Sequence, residues 1–286
     1  MRYKQLKLIG FFCALSGTAQ AQHLGNIFND NLFSEATGVV SDLMDTLMPG
    51  VTNIRIGLGP VMSPAYEGAS KKDISVAPLI SLRYKDLLQV DNNQIRVNVF
   101  GRDGALLQSS RFRAGPMVKI DFGRKEKDSP DLRGLGNVGT AFEIGAFVSY
   151  DLGPFRYRIR ARHDLASGHK GTLADFDINL AVYRTKTVSI GAVLGTTWAN
   201  SKYTNTFFGI TAAQAKASGL PTYTAGAGLK DIAFSVGSEV KVTPSWAIVL
   251  NAGAERLLSK TKSSPLIAKR GNPNQFTLGA FGVYSF

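Results

Sequence analysis

From residue 51 onward, apolar and polar side chains alternate with a period of two, which predicts strands that keep one face in an apolar medium. The clearest run is Phe155–Asp164. Phe155, Tyr157, Ile159 and Ala161 share one face, and Arg156, Arg158, Arg160 and Arg162 the other. The run before it, residues 140–151, sets Phe142, Ile144, Ala146, Val148 and Tyr150 against Glu143, Ser149 and Asp151. The run after it, residues 172–183, sets Phe176, Ile178, Leu180 and Val182 against Asp175, Asp177 and Asn179. Similar segments fall at 53–62, 73–84, 110–122, 188–198, 231–242, 246–257 and 275–286. These make ten strands, and a further hairpin from residues 87–90 and 94–100 makes twelve. Both counts are even, as in bacterial barrels whose ends lie on one side.

The connectors alternate between tight turns and long loops. Lys85-Asp86, Gly153-Pro154, 184–186 and 243–245 are short, whereas 63–72, 123–139, 165–171, 199–223 and 258–274 are long. Such asymmetry predicts periplasmic turns on one side and extracellular loops on the other. A secreted sandwich would bury the apolar faces, leave two open edges and have no place for so many charges on the opposite faces. Lipid outside and a polar lumen inside accommodate both faces, and closure satisfies the backbone. The predicted class is all-β, a transmembrane antiparallel barrel over residues 51–286.

Residues 1–21 read as a secretory signal peptide: Arg2, Lys4 and Lys7 precede the apolar stretch 8–15, and Ala19-Gln-Ala21 forms the small-x-small cleavage site. Residues 22–50 read as a partly helical periplasmic leader. Leu24, Ile27, Phe28, Leu32 and Phe33, then Val39, Val40, Leu43, Met44 and Leu47, recur at helical spacing among Asp30, Glu35, Asp42 and Asp45. Its alternatives are a poorly ordered leader and a docking or plug segment.

Composition narrows the chemistry. With 44% apolar residues, 10% aromatics and 30 glycines, the chain is neither disordered nor fibrous. Cys13, the sole cysteine, lies in the signal region, so disulfides and thiolate sites are excluded from the mature chain. The formal charge of +12 becomes +9 without the three signal cations, which suits an anionic neighbour. Export points away from nucleic acid and toward outer-membrane lipid and lipopolysaccharide. Lys71, Lys72, Arg124, Lys125, Lys127, Lys170, Lys202, Lys260, Lys262, Lys269 and Arg270 occupy the long loops, where they would meet lipopolysaccharide phosphates or simply keep the loops hydrated.

The four arginines form a cationic stripe on the lumen face. They would pair with Glu143 and Asp151 on one neighbouring strand and Asp175 and Asp177 on the other, or else attract an anionic solute. The pairing network is the stronger reading. Arg158 is expected between Glu143 and Asp175 or Asp177. Asp164, Ser167 and His169, with His163 nearby, contain the residue types of a hydrolytic triad. Crowding in one loop, with no second motif for an oxyanion hole, favours a loop held by side-chain hydrogen bonds. Three histidines are too few to argue for metal, and no cofactor or catalytic residue is assigned.

In order along the chain stand Gly57-Leu-Gly-Pro60, Pro64-Ala-Tyr-Glu-Gly68, Leu132-Arg-Gly-Leu-Gly136 and Ser167-Gly168-His169-Lys-Gly171. Thr197-Trp-Ala-Asn-Ser-Lys-Tyr203, Phe207-Phe-Gly-Ile-Thr211, Ser218-Gly-Leu-Pro-Thr-Tyr223, Gly226-Ala-Gly-Leu-Lys-Asp231 and Ser263-Ser-Pro-Leu-Ile267 follow. Through these motifs the chain, from residue 57 to Phe286, resembles the MipA/OmpV family of outer-membrane proteins, named for the MltA-interacting protein. The resemblance implies a non-enzymatic envelope protein, in some members a scaffold joining a lytic transglycosylase to a murein synthase. A narrow channel for small solutes is the first alternative and an outer-membrane lipid hydrolase the second.

The last strand offers Phe276, Leu278, Tyr284 and Phe286 on one face, and Tyr284 with Phe286 is the expected signal to the barrel assembly machinery. Deleting Phe286 should leave the chain in the periplasm or degraded, read as loss from the outer-membrane fraction; normal insertion would refute that role.

Overall fold

The computed structural model describes residues 53–286; the segments read from the sequence as a signal peptide and a leader lie outside the described residues. Twelve antiparallel strands close into one barrel. In chain order these are β1 (Asn53–Pro64), β2 (Lys72–Tyr84), the short β3 (Leu88–Asp91) and β4 (Gln94–Val97). Two minor strands, β5 (Phe100–Gly101) and β6 (Leu107–Gln108), lie in the connection to β7 (Phe112–Asp121). Then come β8 (Ala141–Leu152), β9 (Phe155–Asp164), β10 (Thr172–Arg184), β11 (Val188–Ala199), β12 (Gly228–Lys241), β13 (Trp246–Leu257) and β14 (Asn274–Ser285). Each strand pairs with its neighbours in sequence; β1–β14 and β4–β7 pairing completes the ring. The count is twelve because residues 88–97 do form the extra hairpin.

Alternation decides which face meets lipid. On β8 and β9, Phe142, Ile144, Val148, Tyr150 and Ile159 point outward and are exposed, while Glu143, Arg158, Arg160 and Arg162 point inward and are buried. Trp246 packs edge-on against Tyr284 at 5.1 Å, and Tyr284 against Phe286 at 4.9 Å, forming an aromatic cluster at the turn end.

The hairpin β3–β4 is shorter than the strands beside it. β2 pairs with β3 only from Ser81 to Tyr84, so its outer half extends past the hairpin tip. The Ile80 N–H faces that side and donates to Asn92 Oδ1 at 2.9 Å. Two residues further, where the next donor would face the same side, stands Pro78, which has none. An edge without a donor at that point resists addition of a stray strand.

The lumen is two-sided. Charged residues crowd the wall from β7 to β10, but Val61, Ala77, Leu79, Val249, Phe281 and Val283 form an apolar cluster on β1, β2, β13 and β14, with Phe122 packed on it. The polar lumen inferred from the strand pattern is thus joined by an apolar sector on part of the wall. Side chains packed against one another inside a narrow barrel are removed from water whatever their polarity, so an apolar sector is stable there.

The five connections read as long from the sequence lie at one end, together with the tight β3–β4 turn. The other tight turns lie at the opposite end, together with the connection from β4 to β7 that carries β5 and β6. A tag inserted between Gly209 and Leu220 should be labelled on intact cells, and one within residues 243–245 should not. Reversed labelling would invert the orientation.

Candidate functional site: the loop cap and the lumen network

The long loops are not loose. They carry four short helices, α1 (Ser201–Phe208), α2 (Ala212–Ser218), α3 (Ser259–Lys262) and α4 (Pro265–Arg270), and two 3-10 turns at Glu126–Asp128 and Pro130–Leu132. Their starts are legible: Asn200 Oδ1 accepts from the Tyr203 N–H at 3.1 Å, and Thr211 with Gln214 forms a capping box on α2. The apolar residues they present converge. Tyr66, Leu132, Leu135, Tyr203, Phe207, Phe208, Leu220, Leu266 and Ile267, with Leu173, Ala199 and Leu257 from strand ends, make a buried core across the outer mouth.

Polar links tie the cap together across the barrel. Arg124 Nη1 donates to the Phe207 carbonyl at 2.7 Å and Ser264 Oγ to the Phe208 carbonyl at 2.6 Å, satisfying the C-terminal end of α1. Arg270 donates to the carbonyls of Asp131 and Ser218. Lys230, on β12, is ion-paired with Glu67 from the first loop and with Asp231 at 2.7 Å. Close approach fixes two glycines. At Gly134, φ is +82° and a Cβ would lie 2.6 Å from the Ala217 backbone; at Gly171 a Cβ would lie 2.8 Å from that of Tyr203.

The family-type loop Ser167-Gly168-His169-Lys-Gly171 is the joint between cap and lumen. His169 is 2% exposed, with its ring edge-on to Tyr203 at 4.9 Å. The Gly171 N–H donates to Nδ1 at 2.9 Å, so the ring proton sits on Nε2, which donates to Glu143 Oε1 at 3.0 Å. Asp164 accepts from the backbone N–H groups of Phe142, Ala166, His169 and Lys170. Ser167 is exposed and His163 turns outward to Thr172 Oγ1 at 3.0 Å. Asp164, Ser167 and His169 thus form no hydrogen-bonded triad. Asp121, Glu143 and His169 do place ligand-type atoms close together, but both nitrogens of His169 are already engaged.

Below that joint runs the arginine stripe. Arg162 Nε donates to Glu143 Oε2 at 2.8 Å, and its Nη1 pairs with Asp175. Arg160 Nη2 donates to Asp177 at 2.8 Å and its Nε lies 3.4 Å from Asp175. Arg156 and Arg113 both reach Asp151, at 2.6 Å. The strand register puts Arg158 opposite Ser149 and Asp177. The residue bridging Glu143 to Asp175 is therefore Arg162, four residues, or two inward-facing positions, further along than the alternation alone suggested. Only the inter-strand register fixes that position, and a two-residue slip leaves the inward face unchanged.

The loop cations divide. Lys71, Lys72, Lys127, Lys170, Lys202, Lys260, Lys262 and Lys269 are exposed, whereas Arg124, 5% exposed, sits in the cap floor. Burial lowers its pKa to about 10, partly offset by Tyr66, and it remains a cation at neutral pH. Burial likewise raises the phenols of Tyr66 and Tyr203 above their ordinary value. The cap itself had signals in the sequence: caps at Asn200 and Thr211, and apolar pairs such as Phe207-Phe208 and Leu266-Ile267 in segments too polar overall to be strands.

Fold and site together define an outer-membrane β-barrel protein whose outer mouth is covered by its own loops. More narrowly, the chain belongs to the MltA-interacting protein MipA family, whose pattern matches residues 56–286. No curated protein matches the sequence. Among solved structures, an outer-membrane channel from Pseudomonas putida F1 is similar at 12% identity, over 84% of this chain and 97% of that one, with a TM-score of 0.44. The translocator domain of the autotransporter NalP from Neisseria meningitidis is similar at 11% identity, over 93% and 99%, with a TM-score of 0.37. The monoaromatic hydrocarbon channel CymD is similar at 11% identity, over 87% and 92%, with a TM-score of 0.38.

Arg162→Glu would set a carboxylate against Glu143 and Asp175 in a buried network and should cost about 3–5 kcal/mol, seen as loss of the heat-modifiable folded band. Arg162→Gln retains donors and should be milder. Equal, normal folding of both variants would mean that the network does not hold the wall.

Proposed function

We propose that this protein is a non-enzymatic structural or scaffolding component of the outer membrane rather than an open solute path. The observation that carries the reading is the apolar core built across the outer mouth by residues from four long loops and three strand ends. A passage for hydrated solutes needs a water-filled route, and an interlocked apolar cap with internal ion pairs below it opposes one. The family name supports a murein-related partner: a lytic transglycosylase, with a murein synthase, fits a barrel whose periplasmic face would serve as an anchor.

In planar bilayers the wild-type protein should give no sustained unit conductance, and a variant lacking residues 201–227 should conduct. Steady conductance of the intact protein would replace this reading with the narrow channel. Crosslinked envelopes should yield a lytic transglycosylase with the tagged protein; its absence under conditions that recover the barrel intact would remove the scaffold role.

A further inference from the structure

The loop between β7 and β8 contributes Leu132, Leu135 and Val138 to the cap core, so its outer surface is held on a packed base. On that surface lies a cleft of about 560 Å³ lined by Lys125, Glu126, Lys127, Ser129, Arg133 and Asn137, among others. The loop segregates its charges. Glu126 turns both oxygens to the loop's own backbone, accepting from the Gly134 N–H at 2.8 Å and the Gly136 N–H at 3.1 Å. Asp128 accepts from the Lys125 N–H at 2.8 Å, and Asp131 lies 3.4 Å from Ser129 Oγ. The carboxylates thus serve turns. Lys125, Lys127 and Arg133 make no ion pair among the described residues and present their charge to the cleft. Asn137 uses Oδ1 to accept from the Glu126 N–H at 2.8 Å, which leaves its amide N–H groups as additional donors. Next to Lys125 in the chain, Arg124 is buried, with Nε unsatisfied and no carboxylate within ion-pair distance among the described residues.

We propose that this cleft is a binding site for a phosphorylated glycan at the outer surface, its phosphate held by Lys125, Lys127 and Arg133. Two flexible ammonium groups and a planar guanidinium suit a tetrahedral dianion, which takes several charge-assisted hydrogen bonds at once. The volume admits one or two sugar units with the phosphate. The buried Arg124 beside Lys125 in the chain adds positive potential, screened less than a surface charge. Because the cations stand on a packed loop, binding costs less ordering than at a loose chain.

The test uses the full-length protein folded in zwitterionic detergent. Its binding to phosphorylated lipopolysaccharide is compared with the delipidated phosphorylated core oligosaccharide, the same oligosaccharide after dephosphorylation, and inorganic phosphate. The triple variant Lys125→Ala, Lys127→Ala, Arg133→Ala should bind the phosphorylated oligosaccharide at least about tenfold more weakly, with a shallower salt dependence. A control triple, Lys202→Ala, Lys260→Ala, Lys262→Ala, should stay within about twofold, since it removes equal charge from other loops. A heat-modifiable band from both triples verifies folding. Binding by intact lipopolysaccharide and by the delipidated form places recognition in the glycan phosphate. Binding by the intact form alone places it in the lipid-proximal headgroup, and full competition by millimolar inorganic phosphate places it in the phosphate alone. Equal losses in the two triples, or undiminished binding of the dephosphorylated oligosaccharide, would overturn the site.

Discussion

Lipid offers no hydrogen bonds, so every peptide group crossing it must find another peptide group. The rest of this molecule follows from that constraint. Twelve strands satisfy it by closing on themselves, with β14 returning to β1 and the short β4 reaching β7. Closure in turn gives each strand an inside, and the period-two alternation fills it with what lipid would not accept. The arginines of β9 are tolerable in the wall only because Glu143, Asp151, Asp175 and Asp177 stand on the adjacent strands to receive them.

The same network links wall to cap. Glu143 accepts from Arg162 below and from His169 above, and His169 packs against Tyr203 of α1. A disturbance of the lumen charges is therefore felt by the cap through one buried histidine. Lys230 makes a second such link, joining the β1–β2 loop to β12 through Glu67 and Asp231. The loop residues that form the cap hold one another through a shared apolar core. The outer loop surface is free to carry recognition, and on the β7–β8 loop the cations face outward while the carboxylates face the backbone.

The barrel wall was legible in the amino-acid sequence because its signal is local. Phe155–Asp164 shows its two faces within ten residues, and the extra hairpin at 88–97 is visible as two short runs around a turn. Inside and outside follow from polarity once lipid is the solvent. The sequence also carried the helix caps and the glycine-rich loop motifs, although it did not say what they pack against. It likewise gave no warning of the apolar sector on β1, β2, β13 and β14, since an inward-facing valine reads the same in any strand.

Tertiary structure alone decided the register and the cap. Arg162 rather than Arg158 bridges Glu143 and Asp175 because cross-strand alignment, not alternation, sets which charges meet. The cap depends on contacts such as Arg124 to Phe207, Arg270 to Asp131 and Lys230 to Glu67, between residues 83, 139 and 163 positions apart. No periodicity spans such separations. The wall is a consequence of what each residue does beside its neighbours, whereas the cap exists only after closure of the barrel has brought the loop ends within reach of one another.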